Sequence, residues 1–215
     1  MKLLNIDEEA PDEFFIFVNQ SNPMTEHNFQ VTKTFTSGAA NSCCMDPKFE
    51  EKYLNGTARY LPYEPCSHDN VSPSPYLLTA INDYRIEFDF EVYREKHHPL
   101  YPSRLSALYA FGDFSTCQKV SQKHKWDLSS VKTFKLKDWP LTRIVKVKME
   151  HISLARHAYR VSMIQDLNRL WAGYWAAFGE IVIELPSSPR FQRKQYPSGI
   201  TWEYLIEGIA VHCNN

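Results

Sequence analysis

The chain has 215 residues, with 24 Lys+Arg against 25 Asp+Glu and a formal net charge of −1. Hydrophobic residues make up 43% and aromatics 14%, enough to bury a core, which excludes a mainly disordered chain. No run of some 18 or more apolar residues exists, which excludes a membrane-spanning helix. The near-zero charge hides a split: residues 1–118 carry 9 Lys+Arg and 17 Asp+Glu, net −8, while residues 119–215 carry 15 and 8, net +7.

In chain order, Phe14-Phe15-Ile16-Phe17-Val18-Asn19 reads as a buried strand ended by Asn22-Pro23. Residues 29–36 read as a half-buried strand, with Phe29, Val31 and Phe35 on one face and Lys33 as the exception on it. Pro62 to Pro75 holds four prolines and no periodicity, hence loop. In 84–92, Ile86, Phe88, Phe90 and Val92 alternate with Glu87, Asp89 and Glu91, which favours a strand, although Ile81, Phe88 and Val92 also share a helical face. Leu105 to Phe111 reads as a short buried strand, and Asp113 or Ser115 as the cap of a helix carrying Lys119, Lys123 and Lys125. Residues 143–149 alternate as a strand, 159–177 carry a wide helical apolar stripe, and Glu180 to Leu185 and Ile200 to Val211 read as strands, the last as one strand or a pair. Strands and helices mixed without regular βαβ alternation predict an α+β fold. The whole chain, 1–215, reads as one domain with a loop-rich insertion at about 38–80.

Common site motifs are missing. The sequence contains no GxGxxG, GxxxxGK[ST], HExxH or GxSxG, which argues against dinucleotide oxidoreduction, P-loop hydrolysis, zincin proteolysis and α/β-hydrolase chemistry. The five cysteines (Cys43, Cys44, Cys66, Cys117, Cys213) make no CxxC pair and no disulfide framework, and the N-terminus turns acidic before any signal-peptide apolar run. A reduced, cytoplasmic protein is the expectation. No spacing among the eight histidines matches a metal site, so no metal is assigned.

The informative segment is Tyr101-Pro102-Ser103-Arg104-Leu105-Ser106-Ala107-Leu108-Tyr109-Ala110-Phe111 followed by Ser115-Thr116-Cys117, with Tyr174-Trp175 and Glu180-Ile181-Val182-Ile183 further on. In order and spacing these resemble the second and third motifs of the ADP-ribosyltransferase superfamily, in its bacterial toxin-like branch or nearest to a bacterial family of uncharacterised function with a Pro-Ser-Arg, strand, Trp-containing helix, Glu-strand pattern. The resemblance covers roughly residues 14–211. It implies a split mixed β-sheet core with flanking helices and NAD as the substrate. It makes Glu180 the carboxylate that contacts the nicotinamide ribose and stabilises the oxocarbenium-like transition state, with Glu184 as its rival. It makes Tyr109 the ring stacked on nicotinamide, Ser115 a contact to ribose or amide, and Arg104 the fork for the pyrophosphate. The first motif departs from the pattern: Phe17 stands where the family offers His or Arg, leaving Asn19, or Ser21 and Asn22, to hold the ribose.

Between Lys119 and Lys148 lie nine Lys+Arg, opposed only by Asp127 and Asp138 and interleaved with Trp126, Phe134 and Trp139. Bases stack on such rings and phosphates bind such charges, so the expected acceptor is nucleic acid, RNA or DNA, with protein as the other class. An acidic N-terminal half fits an antitoxin or other regulatory partner. The competing expectation is a catalytically inactive transferase-like fold that binds nucleic acid or a partner protein.

Overall fold

The computed structural model describes residues 1–61, 84–161, 164–178, 182–185, 194–197 and 200–213. The fold is α+β, with helices mixed among antiparallel sheets. Strand β1 (Phe14–Phe17) buries Phe14 and Ile16 and leaves Phe15 and Phe17 on its other face. Helix α1 (Pro23–Thr32) follows, then β2 (Thr34–Thr36). The strand expected over 29–36 is therefore a helix end joined to a short strand. Asn22-Pro23 ends one element but also begins another: the Asn22 side chain accepts from the Met24 and Thr25 amides and Pro23 takes the first helical turn. Lys33, the misfit on the apolar face, adopts φ 52° and stops the helix.

Residues 38–54, within the segment expected to be loop-rich, form α2 (Gly38–Met45) and α3 (Pro47–Leu54), capped by Ser37 and Asp46. Pro62 to Pro75 lies outside the described residues. Helix α4 (Tyr84–His97) replaces the strand expected over 84–92. The pattern misled because burial inverts polarity here: Glu87, Glu91 and Arg94 are inside with Ile86 and Phe90, while Phe88 and Val92 are exposed. Strand β3 is Leu108–Ala110, and α5 (Phe114–His124) starts at Asp113, whose carboxylate accepts from the Thr116 amide.

A single 3₁₀ turn, Leu128–Ser130, leads into β4 (Val131–Leu136), and β5 is Arg143–Lys148. The helical stripe expected over 159–177 is divided between α6 (Met149–Val161) and α7 (Ile164–Trp175). Strands β6 (Val182–Leu185) and β7 (Lys194–Pro197) pair with each other, and of the two alternatives for 200–211, one strand or two, the fold has two, β8 (Trp202–Glu207) and β9 (Ile209–His212).

The seven strands other than β6 and β7 form two sheets, one ordered β1-β4-β9-β2 and the other β3-β8-β5, with every described pairing antiparallel. They connect where β8 passes into β9 through Gly208, and again where Phe15 and Phe111 exchange backbone hydrogen bonds. A Cβ on Gly208 would sit 3.1 Å from Thr142 Cγ2, so a side chain at the crossing would crowd Thr142. Ser37 clamps the same point: its backbone amide donates to the Gly208 carbonyl, and its hydroxyl oxygen accepts from the Gly208 and Ala40 amides. Phe14, Ile16, Phe134, Ile144, Tyr204 and Ile206 form the core joining the sheets. On the opposite face of the β3-β8-β5 sheet, Val145, Val147 and Leu205 pack under α4, α6 and α7. Among the described residues no helix is long and apolar enough to cross a membrane.

Candidate functional site

Strand β8 alternates Glu203, Leu205 and Glu207 on one face with Tyr204 and Ile206 on the other. Two carboxylates on an otherwise exposed strand would face water. Here that face lies under α4 and the Pro102-Ser103-Arg104 turn, and both are buried. The turn supplies their partners. Arg104, 3% exposed, donates Nε to Glu87 at 2.8 Å and an Nη to the same carboxylate at 3.2 Å, and a further guanidinium N–H reaches the Tyr174 hydroxyl. Glu203 lies 3.7 Å from the same guanidinium. Burial pushes the Glu203 carboxyl up to about 7; Arg104 pulls it down, while Glu87 and Glu150 add to the rise.

A second buried set adjoins the first. Arg94 donates to Glu91 at 2.7 and 3.1 Å and to the carbonyls of Pro99 and Tyr101. The Ser103 hydroxyl donates to Glu91 at 2.8 Å, while its amide and the Ser106 hydroxyl donate to Glu207. Burial raises the Glu207 carboxyl, and the bonds from Ser106 and Ser103 oppose that rise. The whole Pro-Ser-Arg turn is thus fixed from below by charge-assisted hydrogen bonds, so little of its geometry depends on solvent.

The predicted site residues fall in three places. Tyr109 and Arg104 come together: the Tyr109 hydroxyl donates to the Arg104 carbonyl at 2.8 Å, and the guanidinium lies 5.1 Å from the ring centroid. Arg104 spends its fork on Glu87, so a pyrophosphate there would have to displace that carboxylate. Ser115 is exposed at the start of α5, donating to Asp113 at 2.6 Å. Asn19 follows β1 in an exposed turn, its side chain accepting from the Ser21 amide and hydroxyl. Phe15 packs on Phe114, the neighbour of Ser115, and Phe17 packs on Trp126. Phe17 belongs to an aromatic cluster with Phe111 and Trp126. Glu180 lies outside the described residues; Glu184 takes a place in β6 opposite Gln195.

Sequence reasoning missed Glu87, Glu91, Arg94, Glu203 and Glu207. Their signal was present: 87, 91 and 94 share one helical face, and 203 and 207 share one strand face, a spacing that reads as solvated unless the complementary Arg104 and Ser103 are counted against it.

Other reactive groups are muted. Burial pushes the thiols of Cys43 and Cys117 up to about 12, so neither is a thiolate at neutral pH. Among the described residues no group of three His, Cys, Asp or Glu is arranged to hold a metal ion. A groove of about 190 Å³ between α4 and α7, with Tyr93, His97 and Trp171 in its lining, contains none of the predicted site residues.

His151, at the start of α6, is fully buried and neither ring nitrogen has a hydrogen-bond partner among the described residues. Burial lowers its pKa from 6.5 to about 4, with Lys148 adding to the drop and Glu150 opposing it. Protons then bind the unfolded chain more tightly than the folded one. The stability this neutral ring contributes is complete above pH 6.5 and is lost as pH falls towards 4. His151→Leu is expected to remove that loss: urea midpoints at pH 4.5 and 7.5 should lie closer together than in the parent, and an unchanged gap would contradict this account.

A comparison with models of known protein families finds no match, and a comparison with curated proteins finds none either.

Proposed function

We propose that the protein is an NAD-dependent ADP-ribosyltransferase. The observation that carries the reading is the Tyr109 platform: a partly exposed ring on β3, held by its own hydroxyl and backed by a guanidinium that Glu87 neutralises. The ring packs at the edge of the core under the helices, and in this reading its remaining exposed part is where a nicotinamide stacks. Two sheets joined through β8 and β9 support a split core, although every described pairing is antiparallel where a mixed sheet was expected.

In this reading Arg104 positions Tyr109 rather than touching phosphate. Ser115 offers its hydroxyl to the ribose or amide, and Asn19 takes the ribose contact that Phe17 cannot make. The bond from the ribose C1′ to the nicotinamide nitrogen breaks, and nicotinamide leaves as a neutral ring keeping the electron pair. Positive charge spreads over C1′ and the ring oxygen, where the Glu180 carboxylate stabilises it. The acceptor nucleophile bonds to C1′, and its proton passes to that carboxylate or to water.

Phe17 favours a second reading, a transferase-like module that binds without NAD, because the first-motif position is occupied by a ring packed on Phe111 and Trp126. Calorimetry separates the two. NAD is expected to bind, with affinity reduced about tenfold in Tyr109→Ala, roughly the stacking energy of one ring. No heat at millimolar NAD would select the binding module.

A further inference from the structure

The fold sorts the nine basic residues between 119 and 148 into two groups. Three on β5 turn to internal partners. The Arg143 guanidinium stacks 3.7 Å from the Tyr53 ring centroid and donates to the Tyr53 carbonyl. Lys146 pairs with Glu8 at 2.7 Å, and Lys148 is buried with its Nζ 5.6 Å from the Trp202 ring centroid. The other six lie on α5, β4 and the adjoining turns. Within that group Lys123 is paired with Glu150 at 2.9 Å and Lys135 with Glu13 at 3.4 Å. Lys119 and Lys125 are exposed, and Lys132, at the start of β4, reaches the Ser129 carbonyl at 3.3 Å. Of the carboxylates nearby, Asp113 accepts from Ser115 and Thr116 and Asp127 from Ser129, while Asp138 is exposed beyond the end of β4.

Aromatic rings accompany these cations. Trp126 is 42% exposed, packed edge-on against Phe17 at 5.2 Å and beside His124 at 5.7 Å. Phe114, 43% exposed, sits at the other end of α5 on Phe15. Lys125 takes a left-handed backbone, φ 61°, immediately before Trp126, so cation and ring share one turn.

From this arrangement we infer that the face formed by α5, its following turn and the start of β4 binds single-stranded nucleic acid, the acceptor strand of the transfer proposed above. Lysines meet the phosphates and the exposed rings take unstacked bases, which a duplex keeps inside. The inference rests on the transferase reading for the reaction but not for binding, which needs no NAD.

The test is fluorescence anisotropy of the full chain with a labelled oligothymidylate of about twelve nucleotides, a length within the usual single-strand site range. Binding is expected at 50 mM salt with a log–log salt slope near −2, about 0.7 for each of three lysines. Lys119→Gln with Lys125→Asn and Lys132→Gln removes two exposed charges and one half-buried charge that reaches the Ser129 carbonyl, and asparagine tolerates the left-handed position. That variant is expected to bind about tenfold or more weakly. Trp126→Leu should weaken binding at least about fivefold without altering the salt slope. No binding at 50 mM salt, or equal affinity in the triple-lysine variant, would overturn the surface. Transfer from NAD onto protein with no oligonucleotide binding overturns the surface and leaves the transferase. Oligonucleotide binding with no NAD consumed in any acceptor pool keeps the surface and overturns the transferase.

Discussion

Arg104→Met is expected to lower the unfolding free energy by about 3–5 kcal/mol, because it strands the buried Glu87 and Glu203 carboxylates without their shared cation. That is a large part of the roughly 5–15 kcal/mol that holds a domain together. The loss comes from uncompensated charge rather than from a missing attraction, so the second partner decides the interpretation. Arg104→Met combined with Glu87→Leu should recover much of the loss, since an apolar pair of similar volume replaces two desolvated charges. Arg104→Lys should fall between, keeping the charge but not the fork that meets both Glu87 oxygens. Urea denaturation of the four proteins checks this. A single-variant cost under about 1 kcal/mol would place the guanidinium in solvent and contradict the buried arrangement.

Glu180→Gln is expected to slow nicotinamide release about 10²–10³-fold, the usual cost of removing one group aimed at developing charge. The exchange keeps size and polarity and removes only the negative charge. Glu184→Gln is its control, four residues further along and within β6. If Glu184→Gln carries the loss and Glu180→Gln does not, the catalytic carboxylate is Glu184. Full rates in both would remove the chemistry assigned to this segment.

Strands were legible where alternation coincides with burial. In β5, Val145 and Val147 alternate and face the helices, whereas the division of the last strand segment at Gly208 is visible only in the fold. Helices were misread where the core takes charge. Helix α4 buries Glu87, Glu91 and Arg94 and exposes Phe88 and Val92, so a pattern scored on hydrophobicity finds the wrong period. Helix α2, Gly-Ala-Ala-Asn-Ser-Cys-Cys-Met, has almost no polar–apolar contrast and is held by the Ser37 cap instead. Strand β4 was hidden by Lys132 and Lys135, which a half-exposed strand accommodates.

Arg104 and Tyr109 were each singled out in the sequence, with separate roles, and their contact with one another comes from the fold. The carboxylates opposing Arg104 were not singled out, because Glu87 and Glu203 come from distant parts of the chain and each alone reads as a solvated side chain. Burial of a guanidinium needs such partners, and only the fold says which ones.

The central claim, that NAD is the donor substrate, is tested most directly by incubating the intact chain with NAD labelled in its adenylate portion and separate pools of RNA, DNA and protein. The account predicts nicotinamide release together with label retained on a nucleic-acid pool. Absence of both label transfer and nicotinamide release in all three pools would contradict it.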